Sequence, residues 1–308
     1  MHREINTEKF WDQEVVDPML TSWMEDPLVR EYINRSISGN AEPMWPIDWF
    51  QRWLAGRHFR RALSIGCGSG ALERDLVRRN LVDSIDAFDG STNSLRLARQ
   101  TADAEGLGQR IRYFAADFNE PALPARTYDA VFIHQAAHHV AKLEKLYRAI
   151  LRALTPDAVL YLDEYIGPSR FDWNDQTIAA HRAAFESYPT GARRAENLPL
   201  PIHAYDPSEA FRSDEIVPQL NVGFDIAAWR GYGGNLLSVI YPFIDWSAAS
   251  IDTLIEREKQ VLSSGEIPYY AIIVARPKRG PAKLLASLRY YLEPKLKRIG
   301  REIRAHLK

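Results

Sequence analysis

The sequence predicts a doubly wound α/β domain with a mostly parallel sheet, and three observations carry that expectation. Between residues 61 and 166, apolar runs of strand length alternate with helix patterns, the rhythm of parallel strands joined by right-handed crossovers. The first of those runs ends in a glycine-rich turn that leads straight into a helix. The second and third runs each end at or just before an aspartate, at the edge where open α/β sheets hold ligands.

The elements follow in order. Residues 1–60 read as an N-terminal helical cap rich in tryptophan: Trp11, Trp23, Trp45, Trp49 and Trp53. Within it, Asp26-Pro27 is an N-cap followed by proline at the first helical position, and Pro46 opens a second helix with Phe50, Trp53 and Leu54 on one side. The tryptophans read as core, with some available as a lid. The main domain, 61–277, starts with the strand Ala62–Ile65, the loop Gly66-Cys67-Gly68-Ser69-Gly70 and a helix through Leu72, Leu76 and Val77. Strand Ser84–Phe88, helix Ser91–Ala104, strand Ile111–Ala115, strand Tyr128–Ile133, helix Leu143–Leu154 and strand Val159–Leu162 complete the alternation. Residues 167–212 break it with prolines, aromatics and one helix pattern near Gln176–Phe185, and read as a lid inserted over the carboxyl edge of the sheet. A helix over Ser213–Leu220, a strand over Phe224–Trp229, two helix patterns and a strand over Tyr269–Ala275 return to the core. The tail, 278–308, reads as a helix from Pro281 to Leu292, a break at Pro294, and a second helix with Leu296, Ile299, Ile303 and Leu307 in a stripe. Because it follows the last strand, the tail is expected to be dispensable for the fold.

Composition narrows the function. The chain has 308 residues, 46% hydrophobic and 26% charged, with a formal charge of −1; it can bury a sizeable core, and no global field draws it to nucleic acid. The charge is unevenly spread. Lys278 to Lys308 holds ten Lys/Arg against two Asp/Glu, an excess of eight, which leaves the remainder at −9. The single cysteine, Cys67, excludes a disulfide framework and a cysteine-based zinc site. With no apolar signal core and no spanning run, a cytoplasmic protein is expected.

The loop Gly66 to Gly70 lets a ligand lie against bare backbone, and with Ala71 it also satisfies the dinucleotide pattern G-x-G-x-x-G/A. Alone it is equally a tight turn. Asp89 lies 23 residues after Gly66, where a carboxylate can accept from both ribose hydroxyls; Asp89-Gly90-Ser91 can cap the following helix as well. After the third strand, Asp117 can accept from an adenine amino group while Phe118 lies near the ring. Together, Ile65-Gly66-Cys67-Gly68-Ser69-Gly70, Asp89, Ala116-Asp117, Tyr128-Asp129-Ala130-Val131 and Leu154-Thr155-Pro156-Asp157-Ala158-Val159-Leu160 resemble the class I S-adenosylmethionine-dependent methyltransferases over roughly residues 60–166. That resemblance implies a seven-stranded Rossmann-like sheet with an antiparallel last strand, and Phe224–Trp229 and Tyr269–Ala275 become strands six and seven. It implies S-adenosylmethionine as cofactor. Gly66, Cys67 and Gly68 would face its methionine part, Asp89 with Gly90 and Ser91 its ribose, and Asp117 with Phe118 its adenine, while His134 covers it. The chain departs from the pattern twice. Ser64 stands where the family often has an acid, and Asp157-Ala158 stands in place of glycines.

Chemistry is expected from His134-Gln135-Ala136-Ala137-His138-His139, at the carboxyl end of strand four, and from Asp163-Glu164 at the end of strand five. Methyl transfer needs alignment, and a proton acceptor if the acceptor is a hydroxyl. Histidine titrates near neutral pH, so His139 is the first candidate base, His138 the second and Glu164 the third. The bland reading is that these imidazoles pack or cap the next helix. Asp163, Glu164 and a histidine do not have diagnostic metal spacing, and no metal is assigned. Tyr232-Gly233-Gly234 reads as a turn. The tail can lie on an anionic membrane or dock on a protein partner. The expectation is methyl transfer to a small-molecule or glycan acceptor, at oxygen, with no nucleic-acid partner. The rivals are a non-catalytic cofactor-binding scaffold and an NAD-dependent oxidoreductase, the latter disfavoured by Asp117 and by the helical segment before the first strand.

Overall fold

In the computed structural model, the structure describes residues 23–39, 46–203 and 206–306, with side chains to residue 294. Trp11, Trp45 and the stripe Leu296, Ile299, Ile303 and Leu307 lie outside the residues so described. Helix α1 (Pro27–Ser38) starts as its sequence dictates. Asp26 takes extended backbone and its carboxylate accepts from the amides of Leu28 (2.9 Å) and Val29 (3.3 Å), satisfying two donors a helix end leaves open. Helix α2 (Pro46–Trp53) follows, and the alternation then gives β1 (Phe59–Ile65), α3 (Ala71–Arg78), β2 (Val82–Asp89), α4 (Thr92–Ala104), β3 (Ile111–Ala115), β4 (Tyr128–His134), α5 (Leu143–Ala153) and β5 (Leu154–Tyr165). Beyond the insertion, with α6 (Ala179–Glu186), come α7 (Ile216–Gly223), β6 (Phe224–Gly233), a short α8 (Leu237–Ile240), α9 (Ile251–Ser263), β7 (Tyr270–Pro277) and α10 (Gly280–His306).

The seven strands form one sheet in the order β3-β2-β1-β4-β5-β7-β6. Strands 1 to 5 are parallel; β7 runs antiparallel to both β5 and β6. The interior strands are apolar on both faces, as a sheet covered on both sides requires. On one face, Phe50 of α2 meets Phe132 of β4 and Tyr161 of β5, and Trp23 packs on Tyr270. On the other, α5, α7 and α10 bury Leu146, Tyr147, Ile150, Leu220 and Tyr290. Chain order reverses between β1 and β4, so a crevice opens above their carboxyl ends.

Three expectations are corrected. Pro294 does not break the tail, because α10 runs through it as one helix; proline removes a single backbone hydrogen bond, a cost that an otherwise continuous helix can absorb. Of the two helix patterns between strands six and seven, the first shrinks to Leu237–Ile240, since Pro242 interrupts it. Nor is the tail a detached appendage. Tyr290 is buried, its hydroxyl donates to the Gln219 carbonyl (2.6 Å), its ring lies 6.4 Å from Tyr147, and a Cβ on Gly223 would press on it. Lys278 N–H also donates to the Gly223 carbonyl (3.0 Å). The helix seals the β6 end of the core. Tyr290→Ala should therefore cost about 3–5 kcal/mol in urea unfolding. Leu288→Ala, on the exposed side of the same helix, should cost under about 0.5 kcal/mol. Equal effects would show that the helix is not docked through Tyr290.

Candidate active site

The glycine loop is shaped by what it must pass. Gly66 takes φ +73°, and a Cβ there would overlap the Cβ of Ala136. Gly70, at φ +78°, lies on the Tyr113 hydroxyl in the same way. Both positions demand glycine for backbone and for space. The amides of Gly66 (2.9 Å) and Cys67 (3.2 Å) donate to the Phe88 carbonyl, anchoring the loop to β2. One Asp89 oxygen accepts from the Gly68 amide (2.9 Å) and the other from the Ser91 amide (2.8 Å). Asp89 is half-exposed, and each carboxylate oxygen can accept more than one donor, so it can clamp the loop and also receive ribose hydroxyls. Ser91 is buried, and its hydroxyl is used as the N-cap of α4, accepting from Ser94 (3.1 Å); Gly90 beside it is open. Asp117 is exposed beyond β3 and accepts from the Asn119 amide (2.7 Å), while Phe118 packs on Phe88 at 5.8 Å. Burial, with Glu73 and Asp89 nearby, pushes the Cys67 thiol far up, so it is an inert packing group.

A second group of residues forms above β4 and β5. Glu164 is fully buried and accepts from the amides of Ala136 (2.7 Å) and Ala137 (2.6 Å) and from His138 Nδ1 (2.8 Å). His139 Nδ1 meets Ser208 Oγ at 3.1 Å and Asp206 at 3.5 Å. The Nε2 atoms of His138 and His139 lie 3.7 and 3.6 Å from the two oxygens of Glu209. Asp163 accepts from the Tyr232 hydroxyl (2.7 Å) and faces His134 Nδ1 at 3.4 Å.

These surroundings set the charges. Burial alone would depress His138, but the carboxylates of Glu209 and Glu164 outweigh it and hold the imidazole up at about 9. Burial and the adjacent charge of His138 hold His139 down at about 4, so His139 is neutral where His138 is charged. For His134, Asp163 overcomes burial and raises it. Two neighbouring histidines thus take opposite roles.

The sequence-derived candidates fall into two groups along the carboxyl edge of the sheet. Gly66, Cys67, Gly68, Asp89, Gly90, Ser91, Asp117 and Phe118 lie over β1 to β3; His134, His138, His139 and Glu164 lie over β4 and β5. The glycine cradle and Asp89 fit an adenosine cofactor. His138, His139 and Glu209 are the described residues with ligand atoms close enough, within 4.8 Å, to hold a metal ion. The set considered from sequence is not formed, since Glu164 is used on backbone amides and His138. Sequence reading missed Asp206, Ser208 and Glu209, whose signal was only a run of acids in an insertion with no period. It also took Tyr232 for part of a turn, whereas β6 carries it to Asp163.

Residues 63–162 match the family described as methyltransferase domain. That stretch is thus similar to a methyltransferase domain, and it runs from β1 to β5 of the sheet. S-adenosylmethionine is the cofactor that goes with that domain. Among curated relatives, the chain is 27% identical over 112 residues to a sterol 24-C-methyltransferase of Aspergillus fumigatus, covering 36% of this chain and 29% of that one. It is 26% identical over 169 residues to a sterol 24-C-methyltransferase of Yarrowia lipolytica, covering 54% and 39%. The match thus spans well under half the length of these relatives. In fold it is similar to a geranyl diphosphate C-methyltransferase from Streptomyces coelicolor, with TM-score 0.51, 16% identity and coverage of 88% and 96%. It is also similar to the [4+2]-cyclase SpnF, with TM-score 0.50, 18% identity and coverage of 89% and 96%.

The charge pattern predicts a pH dependence. Unfolded, His138 titrates near about 6.5; folded, it holds its proton to about 9. Its stabilisation is complete below about pH 6.5 and is lost as pH rises through 9. His139 acts oppositely: its folded value of about 4 makes stability fall as pH drops below about 6.5. Thermal midpoints should therefore peak near pH 6.5, and His138→Gln should flatten the alkaline limb. An unchanged alkaline limb in that variant would show that His138 does not carry it.

Proposed function

We propose that this chain transfers a methyl group from S-adenosylmethionine to an oxygen of a small-molecule or sugar-containing acceptor, with His139 receiving the proton. The observation that carries this reading is the placement of His139 at the carboxyl end of β4, held by Ser208 and flanked by the carboxylates of Asp206 and Glu209, next in the sheet to the strand that ends in the glycine loop. When bound, the cofactor supplies an electrophilic sulfonium methyl. Gly66, Gly68 and Asp89 hold it in place, and Asp117 with Phe118 receives the adenine. Ala136, fixed by Glu164, supports the loop from the β4 side. His139 takes the acceptor's proton at Nε2, and the carboxylates of Asp206 and Glu209 stabilise the imidazolium that results. His138, already protonated, is a fixed cation and not a base.

The sterol and geranyl diphosphate methyltransferases named above methylate carbon by their names. A carbon acceptor is thus the second reading. A cyclase with the same fold keeps a third, a cofactor-bound protein that does not transfer methyl groups.

The deciding measurements are calorimetry with S-adenosylhomocysteine and NAD, and a screen of hydroxylated, glycosidic and terpenoid acceptors with radiolabelled S-adenosylmethionine. S-adenosylhomocysteine should bind and NAD should not. Asp89→Ala should weaken that binding by about 1.5–3 kcal/mol. His139→Ala should cut turnover about 10²–10⁴-fold with cofactor affinity intact. Near-wild-type turnover in that variant removes His139 as the base, and cofactor binding without turnover on any acceptor supports the third reading.

The tail extends the proposal. On α10, Leu284 (65% exposed), Leu285 (66%) and Leu288 lie opposite the docked Tyr290, in the segment with eight excess positive charges. Apolar groups beside basic charge fit an anionic membrane surface. The full chain should co-sediment with phosphatidylserine vesicles at low salt and release at high salt, and Leu284→Glu/Leu288→Glu should abolish binding. Failure to sediment at low salt rejects the membrane.

A further inference from the structure

Glu73 is a buried acid that the chemistry above leaves unused. It lies in the first turn of α3, fully buried, with no well-formed hydrogen bond on either carboxylate oxygen and only the Ser64 hydroxyl and its own amide close by. An ionised carboxylate without a partner is among the costliest things a protein can bury, so such a group calls for a cation. Its surroundings are Ser64 at the end of β1, Cys67 in the glycine loop, Tyr113 on β3 and His134 at the end of β4, each within electrostatic reach. Burial raises it to about 7, with the Ser64 hydroxyl and the charges of His134 and Arg74 drawing it back. Neither cation is given over to it. Arg74 donates to the Ser69 carbonyl (2.7 Å) and approaches Glu105 (3.3 Å), and His134 Nδ1 faces Asp163.

Strand order says what else arrives there. The sheet runs β3-β2-β1-β4. A ligand with adenine at Asp117 beyond β3 and ribose at Asp89 on β2 must send its 5′ substituent over the glycine loop, towards the ends of β1 and β4. In S-adenosylmethionine that substituent ends in an α-ammonium and a carboxylate. Glu73 is the buried acid beside the glycine loop at that end, whereas Asp163 and Glu164 are already taken up by Tyr232 and by backbone amides and His138; Ser64 offers only a hydroxyl.

We propose that Glu73 pairs with the α-ammonium of the cofactor, reaching in from α3 to supply the charge that residue 64 lacks. The inference rests on the cofactor reading and deepens it. Glu73 is then a cofactor-selecting residue: it favours ligands that carry a free amino group over nucleosides that do not.

The test is calorimetry with S-adenosylhomocysteine, its des-amino analogue and 5′-methylthioadenosine, which lacks the amino-acid portion. The wild-type protein should bind S-adenosylhomocysteine at least about tenfold more tightly than the des-amino analogue, the scale of a hydrogen bond between charged groups. Glu73→Gln should lose that preference, binding all the amino-free ligands within about twofold of wild type, with a thermal midpoint no lower than wild type. Adding Ser64→Asp to Glu73→Gln should restore part of the preference. Equal wild-type affinity for the amino and des-amino ligands overturns the proposal without any variant, and so does a Glu73→Gln protein that weakens both ligands equally. If wild-type protein binds none of the three, the cofactor reading fails and Glu73's role with it.

Discussion

The upper edge of the sheet depends on the buried carboxylate of Glu164. Strand β4 leaves the sheet abruptly: Gln135 adopts φ +51°, strained for a residue with a side chain, and the next two amides turn away from any strand partner. Glu164 accepts both of those amides and His138 Nδ1 as well, so three donors and a fixed positive charge meet one carboxylate. A buried carboxylate survives only with such complete satisfaction. The consequence reaches across the crevice. Ala136, held by this contact, is the residue against which Gly66 lies, so the path of the cofactor loop is set from the neighbouring strand.

The same carboxylate shapes the chemistry. With Glu209 and Asp206 it stabilises one positive imidazolium, and that charge, together with burial, discourages a second on His139. The result is a charged imidazole beside a neutral one. Two isolated histidines at a sheet edge would titrate together; packing their rings 4.2 Å apart among acids separates them.

How much of this was legible follows from how local each cause is. The strand–helix rhythm, the Asp26-Pro27 cap and the turn at Gly66 to Gly70 are decided by residues within a few positions of one another, and sequence reading located them. Ser91 was legible as a cap for the same reason. Pro294 was misjudged because a rule about isolated helices ignores the docking of Tyr290 one turn earlier, which supports the helix. Glu73 escaped notice because on a helical pattern it looks like a solvated first-turn acid; only the packing of α3 on the sheet, against β2, buries it. Glu209, Asp206 and Tyr232 reach the site from 67 to 97 residues away from the histidines and Gln135 they approach, and no periodicity encodes such meetings.

That contrast divides the crevice into parts with different histories open to them. The half over β1 to β3 is built round a short motif in which two glycines are pinned by other strands: Gly66 by Ala136 beyond β4 and Gly70 by Tyr113 on β3. A side chain at Gly66 or Gly70 would force the loop to shift, since each already lies against a neighbour in a left-handed conformation. The half over β4 and β5 draws Asp206, Ser208 and Glu209 from an insertion that contributes no strand to the sheet. Residues there can change without disturbing the sheet. Under the proposed function, the inserted segment is where acceptor contacts would vary, because it brings Asp206, Ser208 and Glu209 to His139 without contributing a strand.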